Sequence, residues 1–254
     1  MTITDAGTTS PSTPALRPLV ILLGGLLLLR TVALFAGDGI AYALLGALGR
    51  PDAWAQALLF SNVTVVAVDV LTVAVLVAVC RREGRRLRDL IGLVRLRRDV
   101  PVALLVALIA LVALVAATFL ANLVVYGGAP PSDGVGTVPL WLGVWSIVVL
   151  PVTVAAAEEL LYRGYLLSRL TARLGWWPAA LLVSLGFGLQ HAAFSASSFS
   201  AVLARVIATF LLGLVFATLA RKLGRLAPLI IGHWLVDVVG LGLPMLAAAV
   251  LGTR

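Results

Sequence analysis

The sequence predicts an all-α fold, a polytopic transmembrane bundle of about seven or eight helices. Three observations lead there. Hydrophobic residues make up 61% of the 254-residue chain and the mean hydropathy is +1.11, whereas soluble domains are about half apolar and about a quarter charged. The apolar residues come in runs long enough to cross a hydrocarbon core about 30 Å thick. The charges that remain gather mostly between those runs.

In chain order, residues 1–16 are polar without basic charge and are expected to form a disordered cytoplasmic tail. Apolar runs bounded by Gly, Pro and Arg predict helices near 18–46, 53–80, 100–126, 139–168, 177–194, 201–220 and 227–250. The first and fourth are long enough to be tilted or broken. There is no internal repeat. Residues 17–138 read as N-terminal transmembrane helices with a basic loop at 81–99, and 139–250 as a second helical set that carries the chemistry.

The net charge of +8 comes from 18 Arg and one Lys. Eight arginines crowd residues 81–98, others stand at Arg169 and Arg173, and Arg221, Lys222 and Arg225 form a further cluster. Short loops beside apolar runs make these topology determinants with anionic lipid as partner, which excludes nucleic acid as the reading of the charge. The basic loops then lie in the cytoplasm, with the N-terminus inside. The opposite loops, 47–52, 127–138 and 195–200, hold only Arg50, Asp52 and Asp133. The Ala-, Leu- and Arg-rich composition points to an integral protein of a bacterial plasma membrane. Cys80 is the only cysteine, so no intramolecular disulfide can form.

Both histidines and two of the three glutamates lie inside apolar segments, where an ionisable group costs several kcal/mol unless it has a partner or a task. Counting the helical rise from the cytoplasmic ends places Glu158 about 15 to 18 Å deep, His191 about 20 Å, His233 about 10 Å and Asp237 about 16 Å. Three helices thus bring ionisable groups into one layer. Glu159 and Arg163, spaced i, i+4, suit an ion pair, which leaves Glu158, about 100° away, free to move protons. His191 can orient water or bind metal. Asp237, one turn from His233, can fix its tautomer or share a bound species with it.

These residues form EExxxR (Glu158, Glu159, Arg163), FxxxH (Phe187, His191) and HxxxD (His233, Asp237), in the order of the CPBP family. The chain resembles this group of type II CAAX prenyl endopeptidases and bacterial relatives, some linked to bacteriocin processing or self-immunity, over roughly residues 140–250. The resemblance implies an intramembrane endopeptidase in which Glu158, His191 and His233 activate water and Asp237 assists His233 or the oxyanion, with Glu159, Arg163 and Phe187 in support. The eukaryotic enzymes resemble HxxxN at the third motif. An ionised aspartate cannot donate to an oxyanion as asparagine can, so Asp237 is assigned to orienting His233 or a metal. Glu158, His191 and His233 are a ligand set that permits zinc without requiring it.

The implied substrate is a membrane-anchored or membrane-docked peptide or protein, a prenylated terminus or a peptide precursor, and the site is expected to open toward the cytoplasm. A proton-coupled transporter and a non-catalytic immunity protein are the competing classes, the former without the inverted repeats of transporters. Arg30 and Asp69 are expected to form an interhelical ion pair. Trp54, Trp141, Trp176 and Trp177 fall near helix ends as an interfacial belt, and Arg205 can snorkel.

Overall fold

The computed structural model describes residues 16–131 and 138–252. The tail expected at 1–16 lies outside them except for its last residue, as does Asp133. The chain forms α1 (Leu16–Ala47), α2 (Ala53–Arg82), a short α3 (Arg88–Ile91) within the basic loop, and α4 (Leu96–Tyr126). The fourth apolar run is broken into α5 (Leu140–Val148), α6 (Leu150–Glu158), a π-helical stretch Glu159–Leu167 and α7 (Ser168–Leu174). Then come α8 (Trp176–Gln190), a 3-10 turn Ala193–Ser195, α9 (Phe199–Leu223), α10 (Ala227–Asp237), a second π-helical stretch Val238–Gly242 and α11 (Leu243–Leu251).

Among the described residues, six segments are long and apolar enough to cross a membrane, namely Leu19–Ala47, Ala53–Arg82, Leu96–Tyr126, Leu140–Leu174, Phe199–Leu223 and Ala227–Leu251. The chain is an all-α integral membrane protein. The run expected at 177–194 differs from the others. Its helix, α8, has 15 residues and rises about 22 Å, less than the hydrocarbon thickness. It tightens at its end, where the His191 N–H bonds the Gly188 carbonyl at 3.0 Å, and the chain turns at His191 before Ser198 caps α9 by accepting from the Ala201 N–H at 3.1 Å.

The fourth run breaks for a local reason. Pro151 has no N–H for the carbonyl four residues back and crowds it, and Val149 separates α5 from α6. The π-helical stretch begins at Glu159, inside the EExxxR motif, and π-bulges of this kind are frequent at functional sites. Close packing follows from small residues, since lipid gives no hydrophobic drive between helices. A Cβ on Gly186 would stand 2.6 Å from Leu27 Cδ1 on α1, and one on Gly188 would stand 3.0 Å from the Val206 carbonyl on α9. At the basic end, Glu83 accepts from the Tyr165 hydroxyl at 2.5 Å and pairs with Arg169, while Asp99 pairs with Arg225.

Candidate active site

Glu158 closes α6 and Glu159 opens the π-helical stretch. The expected pair is present, with Arg163 Nη1 donating to Glu159 Oε1 at 3.0 Å. Arg163 also donates from Nη2 to the Gly213 carbonyl at 3.3 Å, and its Cζ lies 4.3 Å from the centroid of Phe187 and 5.1 Å from that of Phe216. The phenylalanine of FxxxH therefore seats a guanidinium by a cation–π contact. Glu159 does more than neutralise Arg163. Its Oε1 also accepts from His233 Nδ1 at 2.8 Å, so Glu159 orients the second motif histidine, whereas Asp237 Oδ1 stands 3.7 Å from His233 Nε2.

Glu158 is not free, contrary to the helical-wheel argument. Its Oε1 accepts from Arg30 Nη2 at 3.1 Å and from Gln190 Nε2 at 2.9 Å. The Arg30–Asp69 pair exists, at 2.6 Å between Nη1 and Oδ1, yet it uses only part of the guanidinium. Arg30 Nε donates to Gln190 Oε1 at 2.5 Å, and Thr72 Oγ1 lies 3.4 Å from Nη1. Arg30 is fully buried, as such a network requires. Gln190 went unnoticed in the sequence because it carries no charge and no motif. The available signal was Arg30 itself, whose five N–H donors exceed what one aspartate can take.

With Oε1 held, Glu158 Oε2 is buried and has no hydrogen-bond partner among the described residues. It lies 3.8 Å from His233 Nε2. His191 Nδ1 donates to the Phe187 carbonyl at 2.7 Å; because a carbonyl only accepts, the neutral ring keeps Nε2 as an acceptor. The Phe187 ring lies 4.8 Å from His191 and 6.2 Å from His233, and Phe216 stacks on His233 at 4.6 Å. Glu158, His191, His233 and Asp237 line one cavity of about 310 Å³ together with Phe187 and Arg205. Glu159 and Arg163 stand behind its wall. Arg205 Nε donates to Ser195 Oγ at 3.1 Å.

The cavity sits in the half of the bundle away from the basic loops, bounded by Leu58 and Leu59 near the start of α2 and by Met245 in α11. Among the described residues no three His, Cys, Asp or Glu side chains are grouped as a metal site. Bonds at Glu158 Oε1, His191 Nδ1 and His233 Nδ1 leave Glu158 Oε2 and the two Nε2 atoms as the ones that would hold an ion.

No curated protein and no solved structure matches the chain. Arg30, Asp69 and Thr72, which complete the setting of Glu158, precede the segment that has a family counterpart. That segment contains all three motifs: residues 139–239 match the family described as Type II CAAX prenyl endopeptidase Rce1-like, the family that the motifs resemble.

Proposed function

We propose that the protein is an intramembrane endopeptidase that hydrolyses a peptide bond of a membrane-anchored or membrane-docked substrate, with residues 139–250 as its catalytic core. One observation carries the reading. A buried carboxylate oxygen without a partner, Glu158 Oε2, faces the same cavity as two histidines whose outer nitrogens are fixed by bonds at Nδ1.

In this reading a water donates to Glu158 Oε2 and to His191 Nε2. Glu158 takes its proton as the water oxygen attacks the scissile carbonyl carbon. His233, taken as the doubly protonated ring with Nδ1–H on Glu159 and the carboxylates of Glu158 and Asp237 near Nε2, presents Nε2–H to the oxygen that becomes negative, the task of an oxyanion donor. Collapse of the tetrahedral intermediate breaks the C–N bond, and the proton held by Glu158 passes to the leaving amine. Arg30 is a positioning residue. It fixes one oxygen of Glu158 so that the other points at the water. Phe187 seats Arg163 and packs on both imidazoles.

The test compares membranes carrying the wild type with those carrying Glu158→Gln, His191→Ala or His233→Ala, reading shortened protein termini by proteomics. Glutamine keeps a carbonyl for Arg30 and Gln190, so Glu158→Gln stays folded. Each variant is expected to abolish the cleavages seen with wild type, and retained cleavage in any one removes that residue from the mechanism.

A further inference from the structure

The cavity and the basic loops occupy opposite ends of the molecule. Helix α2 lines the cavity from its first half, at Leu58 to Val65, and ends on Arg81 and Arg82. Helix α9 contributes Arg205 from its second turn and ends on Arg221 and Lys222. The last span begins just after Arg225 and reaches Met245, at the cavity's edge, twelve residues beyond His233. That separation is about 18 Å along a helix, directed away from the basic end.

Thirteen of the nineteen Lys and Arg residues fall within 81–98, 169–173 and 221–225, and short loops rich in Lys and Arg remain in the cytoplasm. At the basic end the reactive atoms are walled off. A second hollow there is lined by Arg163, Trp176 and Arg221 and touches none of Glu158, His191 and His233. Between it and the first cavity stands the hydrogen-bonded chain Arg163–Glu159–His233.

We infer that the catalytic cavity opens on the non-cytoplasmic side of the membrane, so that its substrate is an apolar peptide segment presented from that side, with the scissile bond in the outer half of the bilayer. The apolar character follows from the walls, which include Leu58, Val65, Val154 and Met245. A cytoplasmic protein terminus has no path to Glu158 in this arrangement. The inference rests on the endopeptidase reading for the word substrate, but not for the orientation.

Orientation is tested in a Cys80→Ala background, which removes the only thiol. Single cysteines are placed at Leu59 or Met245, at the cavity's edge, and at Arg85 in the basic loop, and intact cells are treated with a membrane-impermeant maleimide. Leu59→Cys and Met245→Cys are expected to label in intact cells, and Arg85→Cys only after the membrane is opened. Labelling of Arg85→Cys in intact cells, or failure of both edge positions to label there, overturns the inference. Two edge positions keep the test valid if one variant does not fold. The labelling needs no turnover. If it succeeds while Glu158→Gln leaves cleavage intact, the endopeptidase reading falls and the orientation stands.

Discussion

Glu158 and Glu159 are consecutive in the chain but are held by different halves of the molecule. Glu159 Oε1 is held locally, by Arg163 one turn away and by His233 from the same C-terminal half, while Oε2 is buried without a hydrogen-bond partner among the described residues. Glu158 is held at Oε1 by Arg30, 128 positions earlier, with Asp69 and Gln190 completing the network. The local cluster sets the histidine. The distant one sets the proposed base. The segment that matches a known family therefore does not contain its whole electrostatic setting, since Arg30 and Asp69 stand outside residues 139–239.

The sharpest break of this comparison is Arg30→Ala against Arg163→Ala. Removing Arg30 strands two buried carboxylates, Glu158 and Asp69, and is expected to cost about 3–5 kcal/mol, the cost of breaking a buried pair. Arg163→Ala leaves Glu159 still bonded to His233, so its loss is expected to be smaller, about 1–3 kcal/mol. Thermal unfolding in detergent ranks the two, and a larger loss for Arg163→Ala would reverse the assignment of the stronger clasp. Arg30→Lys separates positioning from folding. It restores the charge but not the fork of donors, so stability recovers while kcat stays low and KM is little changed.

A smaller effect is expected at Glu159→Gln, which keeps an acceptor for His233 but loses the charge. Here kcat should fall about tenfold, within what outer-shell partners of a reactive histidine contribute, without loss of fold. An unchanged kcat would mean that Glu159 serves Arg163 alone. The smallest change runs the other way. Asp38 in α1 is 1% exposed and neither of its oxygens has a partner among the described residues. Asp38→Leu, of similar branched shape, is expected to stabilise the protein by about 1 kcal/mol and to leave cleavage unaltered, because Asp38 does not line the cavity. Destabilisation would show that this carboxyl has a structural task.

What was legible in the sequence was local or periodic. The i, i+4 pair of Glu159 and Arg163 follows from helix geometry, and the common depth of Glu158, His191, His233 and Asp237 follows from counting residues between basic loops. The Arg30–Asp69 pair was legible because two opposite charges in lipid seek each other. Its extension to Glu158 was not, since the Coulomb requirement of Arg30 was already met on paper and only its hydrogen-bonding capacity was left over. The side on which the cavity lies also escaped depth counting. Distances from one membrane face say how deep a residue is, not which flank of it is hollow; that depends on the short α8 and on the breaks at Val149 and Val238–Gly242. Nothing in the apolar pattern of 139–168 announced the π-helical stretch at Glu159–Leu167 either, because an extra residue per turn preserves hydropathy while it rotates side chains.

The Arg30 clasp also orders events during synthesis. α1 and α2 leave the ribosome first, and Asp69 can neutralise Arg30 before any of residues 139–250 exists. Glu158 arrives later, and the cation nearest to it along the chain, Arg163, is paired with Glu159. The guanidinium must then be shared, and only a fully packed bundle brings its second carboxylate within reach. A partly inserted chain would thus hold Glu158 misaimed, and the proposed proteolysis would come last in maturation, after both halves have met.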